Sequence, residues 1–316
     1  YSAQSLKSIN YLENSDGFDF DTQIILQMNS AGKRITEIPI PTYYGDEICY
    51  VQGIKYARQV SIGVVKHRLK SWGFFASRVT SPEYRFKHDE HSSHGKIKKI
   101  IENSPQGKLL DVGCAGGEIS EFASQIGHEV VAVDLNQLTK PLSTATFIQH
   151  DLDKGLPSTI DEKFDLIICA DVLEHLRTPD KLLYELQERL TTSGKIIASI
   201  PNFGNWYPRT RVLLGKFDYD ARGILDQSHL RFFTRKSFIR IANTAGYDVT
   251  RIWTTGTPFE VMLRGAPTRR ISWKTLLSIL AKIDRALCRL RANLFAYQFI
   301  YELTPKTSRG LRDQSK

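Results

Sequence analysis

Cysteine and methionine are scarce, four and two among 316 residues. Cys49, Cys114, Cys169 and Cys288 lie far apart with no CxxC pair, which argues against a disulfide framework and a cysteine zinc site. No run of about 18 uncharged apolar residues occurs, so no spanning helix is expected. Nor does a charged-then-apolar leader open the chain, so secretion is not expected and a reducing cytoplasm is the default location. The first residue is Tyr1 rather than Met, which suggests a piece of a longer protein. Apolar residues at 41% and charged residues at 24% are ordinary globular usage and exclude a wholly disordered or fibrous chain. The length suits two domains, or one with an appendage.

Charge is present in excess and unevenly placed. The net charge is +9, from 43 basic and 34 acidic side chains. Residues 54–108 hold twelve basic against four acidic, and residues 264–291 hold eight against one, so the remaining body is mildly acidic. In the second patch Trp273, Leu276, Leu280, Ile283, Leu287, Leu290 and Leu294 recur at spacings of three and four, an apolar stripe on one helix face. Lys274, Lys282, Arg285, Arg289 and Arg291 fall mostly off it. The first patch mixes Val64, Val65, Leu69, Trp72, Phe74 and Phe75 with Lys66, Arg68 and Lys70. Two readings stand for each: attraction to an anionic membrane surface or a phosphate-bearing substrate, or a self-packed helix with a solvated basic face. No nucleic-acid-binding motif accompanies the charge, so nucleic acid is not an expected partner.

The first 50 residues read as a short α/β piece. Phe18 to Met28 suits a helix, Asn29–Gly32 breaks it, and Arg34-Ile-Thr-Glu-Ile-Pro-Ile-Pro has the period of an edge strand. Residues 80–106 are polar and read as linker, with an entry helix around Lys96–Glu102. His88, His91 and His94 have metal-like spacing, but a solvated loop is the expected reading in so polar a stretch.

From Lys108 the pattern becomes strand–turn–helix units. Lys108-Leu-Leu-Asp-Val-Gly113 is a strand running into Cys114-Ala-Gly116-Gly117 and a helix. Further strands end at Asp134, at Asp151-Leu152, at Ala170-Asp171 and at Pro201-Asn202. This alternation implies a parallel sheet covered on both faces. Ligands of such sheets bind beyond the carboxyl ends of the strands, at a switch in strand order. Glycines there let backbone approach a ligand, and an acid ending the second strand suits ribose hydroxyls. The turn is GxxG preceded by Asp111 rather than GxGxxG, and an acid there suits a cationic ligand better than a pyrophosphate.

These residues resemble motif I and the following motifs of class I S-adenosylmethionine-dependent methyltransferases, over residues 95–305. The resemblance implies a Rossmann-like seven-stranded α/β sheet with helices on both faces, and S-adenosyl-L-methionine as cofactor. By carry-over Asp111, Gly113, Cys114 and Gly116 contact the methionine moiety, Asp134 and Leu135 the ribose side, Asp151 and Leu152 the adenine, with Ala170 and Asp171 completing the pocket. The run Gly17-Phe-Asp-Phe-Asp-Thr-Gln-Ile-Ile with Gly32 to Glu47 resembles the C-terminal end of a family 2 glycosyltransferase of the dolichyl-phosphate-mannose-synthase-like branch, with Gln23 where an acid is common. That family's nucleotide-sugar pocket belongs to an N-terminal half missing from this sequence, so glycosyl transfer is not expected. The organisation read here is 1–70 as this α/β remnant, 71–95 as linker and 96–305 as the methyltransferase domain. Within the domain, 203–235 form an acceptor lid and 268–294 a basic amphipathic helix; 306–316 are a polar tail.

For the acceptor, Asp171-Val-Leu-Glu174-His175 is expected to start the helix after the fourth strand. His175, with Glu174, is a candidate base for an oxygen nucleophile. Asp171, Glu174 and His175 also resemble the acid–acid–His metal cluster of ubiquinone-pathway O-methyltransferases, and a purely structural role stands beside both; no metal site is assigned. The insertion after the fifth strand carries Asn202, Trp206, Tyr219, Asp226, His229 and Arg231, aromatics interleaved with polar groups that suit a sugar, with His229 a further catalytic candidate and Arg231 suited to a phosphate or carboxylate. A self-packed lid is the alternative. The run resembles type 11/23-like methyltransferases associated with bacterial surface glycans. The expected activity is O-methylation of a sugar in a cell-surface glycan or lipid-linked saccharide, in the cytoplasm or peripherally at the inner membrane face. Rivals are a quinone-like small-molecule acceptor, a non-catalytic tail of a polyprenyl-phosphate glycosyltransferase, and a membrane-surface scaffold.

Overall fold

The computed structural model describes residues 1–17, 19–39, 41, 52–71, 90–220, 222–258 and 271–306, without the side chains of 13, 68–71 and 271–277. Cys49, Trp72, Phe74, Phe75, His88, most of the 71–95 linker, residues 268–270 and nearly all of the 306–316 tail lie outside them, as do the side chains of Trp273 and Leu276. The chain divides into two units, Tyr1–Ser77 and Arg78–Lys316.

The first unit comprises α1 (Ala3–Leu6), a 3-10 turn at Tyr11–Glu13, α2 (Phe20–Ser30) and α3 (Gly53–Ser71). Helix α2 buries Ile24 and Met28, while α3 leaves Ile54, Val64 and Val65 exposed. The edge strand expected from Arg34 does not form. Residues 33–39 pair with no strand among the described residues, where the first unit holds only helices and turns, and Pro39 has no ladder donor.

The second unit begins with α4 (Ser93–Glu102), three residues earlier than expected, because Ser92 caps it by accepting from the Gly95 amide at 3.1 Å. His94 is fully buried in its first turn, which corrects the solvated-loop reading for that histidine. Then follow β1 (Lys108–Val112), α5 (Glu118–Gln125), β2 (Glu129–Asp134), β3 (Thr146–Gln149) and β4 (Phe164–Ala170). Next come α6 (Pro179–Gln187), β5 (Leu190–Pro201), α7 (Trp206–Leu213), α8 (Arg235–Thr244) and β6 (Tyr247–Thr255). The described chain ends with α9 (Ile271–Leu290), α10 (Ala292–Phe295) and β7 (Gln298–Pro305).

The seven strands form one sheet in the order β3-β2-β1-β4-β5-β7-β6. The first five are parallel, and β7 runs antiparallel between β5 and β6. Alternation along each strand supplies two cores. Leu109, Leu166, Ile168 and Ile197 pack with Ile97 and Ile101 of α4 and with Ile119 and Ala123 of α5. Leu110, Val112, Ile167, Cys169 and Ile196 pack on the other face with Leu182, Leu183 and Leu186 of α6 and Phe238 and Ala242 of α8. Each such buried aliphatic side chain contributes about 1.5–3 kcal/mol of transfer free energy. The strand order turns back between β1 and β4, and the crevice past their carboxyl ends is where a ligand fits.

Two further boundaries differ from expectation. The last strand starts at Gln298 rather than Phe295, because Ala292–Phe295 forms α10. After β4 the chain makes a 3-10 turn at Leu173–His175, and the helix begins only at Pro179, whose ring suits a first helical position.

Candidate functional site

The β1–α5 turn is shaped by backbone that few residues tolerate. Gly113 sits at φ +75, and a Cβ there would lie 2.6 Å from Val172 Cγ2. Gly117, at φ +81, caps α5 against Leu142. Gly113 is thus required by the packing of β1 on the turn after β4, a reason different from ligand approach. Ala115 also has positive φ, and its amide donates to Asp134 Oδ2 at 2.9 Å. Asp134 Oδ1 accepts from the Asn136 amide at 2.8 Å, so both oxygens are fixed at the end of β2 with acceptor capacity to spare.

Asp111 lies beneath this turn, almost fully buried. Ser120 Oγ, from the first turns of α5, donates to its Oδ2 at 2.5 Å, and Oδ1 has no hydrogen-bond partner. Burial pushes its carboxyl up to about 6, with the nearby Asp134 and Glu118 carboxylates acting in the same direction against the Ser120 hydrogen bond. Cys114 is buried beside it, its thiol pushed up by burial and by Asp111. Gly116 completes the turn. An orphaned buried carboxylate oxygen among other acids is suited to a cation. Leu135, 60% exposed beyond Asp134, offers an apolar surface at the same end of the sheet. Asp151 lies two residues past β3 rather than in it: its Oδ1 caps a 3-10 turn through the Asp153 amide at 3.1 Å. Leu152 is buried in the core rather than facing a pocket.

Ala170 ends β4, buried, and Asp171 follows at φ +54. Two strands hold this strained residue. Ser199 Oγ of β5 donates to its Oδ1 at 2.5 Å, and Gln298 Nε2 of β7 lies 2.9 and 3.0 Å from its two oxygens. The acid–acid–His trio read from the sequence is therefore not assembled. The potential ligand atoms that converge belong instead to Glu174, His175 and His229, all within 4.8 Å of one another.

His229 reaches this place because residues 228–231 of the lid lie on the 3-10 turn. The Leu230 and Arg231 amides donate to the Glu174 carbonyl at 2.9 and 3.0 Å. His175 Nδ1 lies 3.1 Å from the Ser228 carbonyl and His229 Nδ1 lies 3.2 Å from the Ile224 carbonyl. A carbonyl only accepts, so both Nδ1 atoms carry the proton and each neutral ring keeps its lone pair on Nε2. The rings meet edge to face with centroids 4.8 Å apart. Burial, followed by the charge of His175, holds His229 below the usual imidazole range, with Asp226 and Asp171 pulling the other way.

The rest of the lid is mostly tied to itself. Asn202 is buried, with its amide donating to the Asn293 and Ala296 carbonyls and its oxygen accepting from Gly204 N. It anchors the root of the lid and does not face an acceptor, contrary to expectation. Asp226 Oδ1 accepts from the Ser228 amide and hydroxyl at 2.8 and 2.6 Å, and Arg231 donates through Nε and Nη2 to the Arg177 carbonyl. What stays available is aromatic. Trp206 and Tyr219 are about half exposed, and Phe203, Phe217, Tyr219 and Phe232 form a continuous ring cluster with neighbouring centroids 5.0–6.2 Å apart.

Several residues escaped the sequence reading. Ser120, on the helix directly after β1, holds Asp111, and Ser199 and Gln298 hold Asp171 from elements 28 and 127 residues away. Arg211, buried on α7, donates to Asp220 Oδ1 at 2.7 Å, and Tyr207 donates to Asp220 Oδ2 at 2.8 Å. The four-residue spacing of Tyr207 and Arg211 on a helix is the one signal the sequence held for this network.

The methyltransferase domain family matches residues 87–252, slightly over half of the chain. The chain belongs to the methyltransferase domain family. This is the family that the motif resemblance implied, with S-adenosyl-L-methionine as its methyl donor. Among relatives of this methyltransferase, the ubiquinone biosynthesis O-methyltransferase of Proteus mirabilis is 27% identical over 154 residues, covering 44% of this chain and 61% of that protein. The mitochondrial ubiquinone biosynthesis O-methyltransferase of Schizosaccharomyces pombe is 31% identical over 105 residues, covering 29% and 37%. The chain thus spans less than two thirds of either relative. Among solved structures, a methyltransferase from Geobacter sulfurreducens in complex with S-adenosyl-L-homocysteine aligns with a TM-score of 0.44 at 17% identity, covering 73% of this chain and 95% of that one.

Proposed function

We propose that this methyltransferase modifies a hydroxyl group on a ring acceptor. The observation that carries the reading is the His175–His229 pair, two imidazoles with Nε2 as their basic nitrogen, at the carboxyl end of β4 and beside the ring cluster of the lid. Bound S-adenosylmethionine supplies an electrophilic methyl group. Asp111 is suited to its ammonium, Asp134 to its ribose hydroxyls and Leu135 to a face of its adenine. The acceptor oxygen gains the methyl group and loses its proton, which Nε2 of His175 or His229 takes. Alignment of the reacting atoms supplies most of the rate, so the fixed turn and lid root matter as much as the base.

Two sources of such a ring fit this chemistry. A phenolic ring of a quinone-type precursor is supported by the names of the relatives, both of which are ubiquinone biosynthesis O-methyltransferases. A sugar ring of a surface glycan or lipid-linked saccharide is supported by the ring faces of Phe217, Tyr219 and Phe232, on which the apolar face of a pyranose can stack. The phenolic reading is the stronger, since the lid's Asp226 and Arg231 are engaged internally. The test is transfer of labelled methyl to an alkyl-substituted dihydroxybenzene and, in parallel, to a lipid-linked hexose. Product from the first supports the phenolic source and product from the second the sugar. Transfer to neither, by protein that binds S-adenosylhomocysteine, overturns the hydroxyl-ring assignment.

A further inference from the structure

Helix α9 packs on the domain through the side that carries Asp284 and Cys288. Asp284 is turned into the domain, where its Oδ2 accepts from the Thr257 amide at 3.0 Å and its Oδ1 from the Thr257 hydroxyl at 3.1 Å. Cys288, one turn on, is buried. Part of the apolar stripe is exposed, Ile283 at 50% and Leu290 at 77%, and so is Ile279 beside it at 48%. These three follow one another at spacings of four and seven, a single row along the helix. Lys282, Arg285 and Arg289 follow at three and four and form the adjoining row. The only acid of the 264–291 segment is the inward Asp284, so every charged side chain described on the outward surface of α9 is positive.

We propose that α9 docks this methyltransferase on an anionic lipid bilayer, lying in the interface plane with Ile279, Ile283 and Leu290 at the boundary of headgroups and acyl chains and Lys282, Arg285 and Arg289 at the headgroups. A contiguous apolar row on a helix surface marks an interaction site, and a cationic flank beside it is the pattern of interfacial helices. Charge decides the occupant. A second copy of the chain would bring two cationic rows together, whereas anionic headgroups neutralise them. The inference does not depend on which acceptor is methylated.

The test is co-sedimentation of the full chain with vesicles of phosphatidylcholine, alone or mixed equally with phosphatidylglycerol. Binding is expected only to the mixed vesicles and falls as salt is raised. Ile283→Asp lowers it by about tenfold or more, and Lys282→Gln with Arg289→Gln by about 30-fold, from roughly fivefold per basic residue near such a surface. All three positions lie outside the cofactor crevice, so unchanged S-adenosylhomocysteine binding certifies the variants as folded. Failure of the wild type to bind the mixed vesicles overturns the proposal. So does binding that ignores the substitutions, or a wild-type dimer that Ile283→Asp dissociates without any vesicle association.

Discussion

Asp111→Asn probes the most unusual electrostatic feature of the site. The carboxyl titrates at about 6 in the fold against an ordinary 3.8, a difference of about two pH units or about 3 kcal/mol. A carboxyl whose folded value is raised contributes stability that is fully present below about 3.8 and is lost as pH rises through about 6. Ionised and without ligand, it therefore weakens the domain. Between about pH 4.5 and 7.5 the loss amounts to about 2 kcal/mol, because part of the window lies below that range. The asparagine has no titration there, and whatever its amide costs is independent of pH. Scanning calorimetry of both proteins, free of ligand, should show the variant gaining on the wild type by roughly 4–8 °C across that window. Parallel curves for the two proteins would refute the reasoning. The same carboxyl predicts that S-adenosylhomocysteine binds the wild type about tenfold more weakly near pH 5 than near pH 7.5, as the anion it pairs with is withdrawn.

Asp220→Ala removes the buried partner of Arg211, which keeps Asp218, Tyr207 and the Lys216 carbonyl, and should cost about 1.5–3 kcal/mol, read by thermal unfolding and by faster proteolysis within the lid. Gly113→Ala forces a side chain at φ +75 into Val172; a loss of about 2–4 kcal/mol is expected, with weakened S-adenosylhomocysteine binding. For His229, whose imidazole is held below its ordinary 6.5, the neutral form contributes stability present above that value and lost as pH falls through the folded value. His229→Ala should flatten that acid limb of the unfolding midpoint and, with His175→Ala, reduce methyl transfer by about 10²–10⁴ while leaving S-adenosylhomocysteine binding intact.

The sheet was legible because its strands are short apolar runs set between turns, and burial on both faces is what such runs specify. Asp111 and Asp134 could be found for the same reason: each lies at a strand's carboxyl end. Periodicity shows that a helix has an apolar side but not which way that side points. Helix α9 has such a stripe, yet Asp284 finds its donor at Thr257 and Ile283 and Leu290 of the stripe stay exposed. The edge strand expected at Arg34 has no partner among the described residues, which no local pattern reveals. His94 read as solvated because its neighbours are polar, although its place in the first turn of α4 buries it. The lid was only half legible. Its aromatics form the exposed ring cluster, Asp226 closes a local turn with Ser228, and Asn202 and Arg231 bind carbonyls brought close only by folding. His229 was singled out without its companion ring, because the contact with His175 closes a gap of 54 residues.

The most direct test of the account is calorimetric titration of S-adenosylmethionine and S-adenosylhomocysteine into the wild type and into Asp134→Ala. Micromolar binding by the wild type that is lost in the variant is the predicted result. Absence of binding by the wild type, or equal binding by both, would contradict the assignment of the cofactor site to the carboxyl ends of β1 and β2, beside the crevice between β1 and β4.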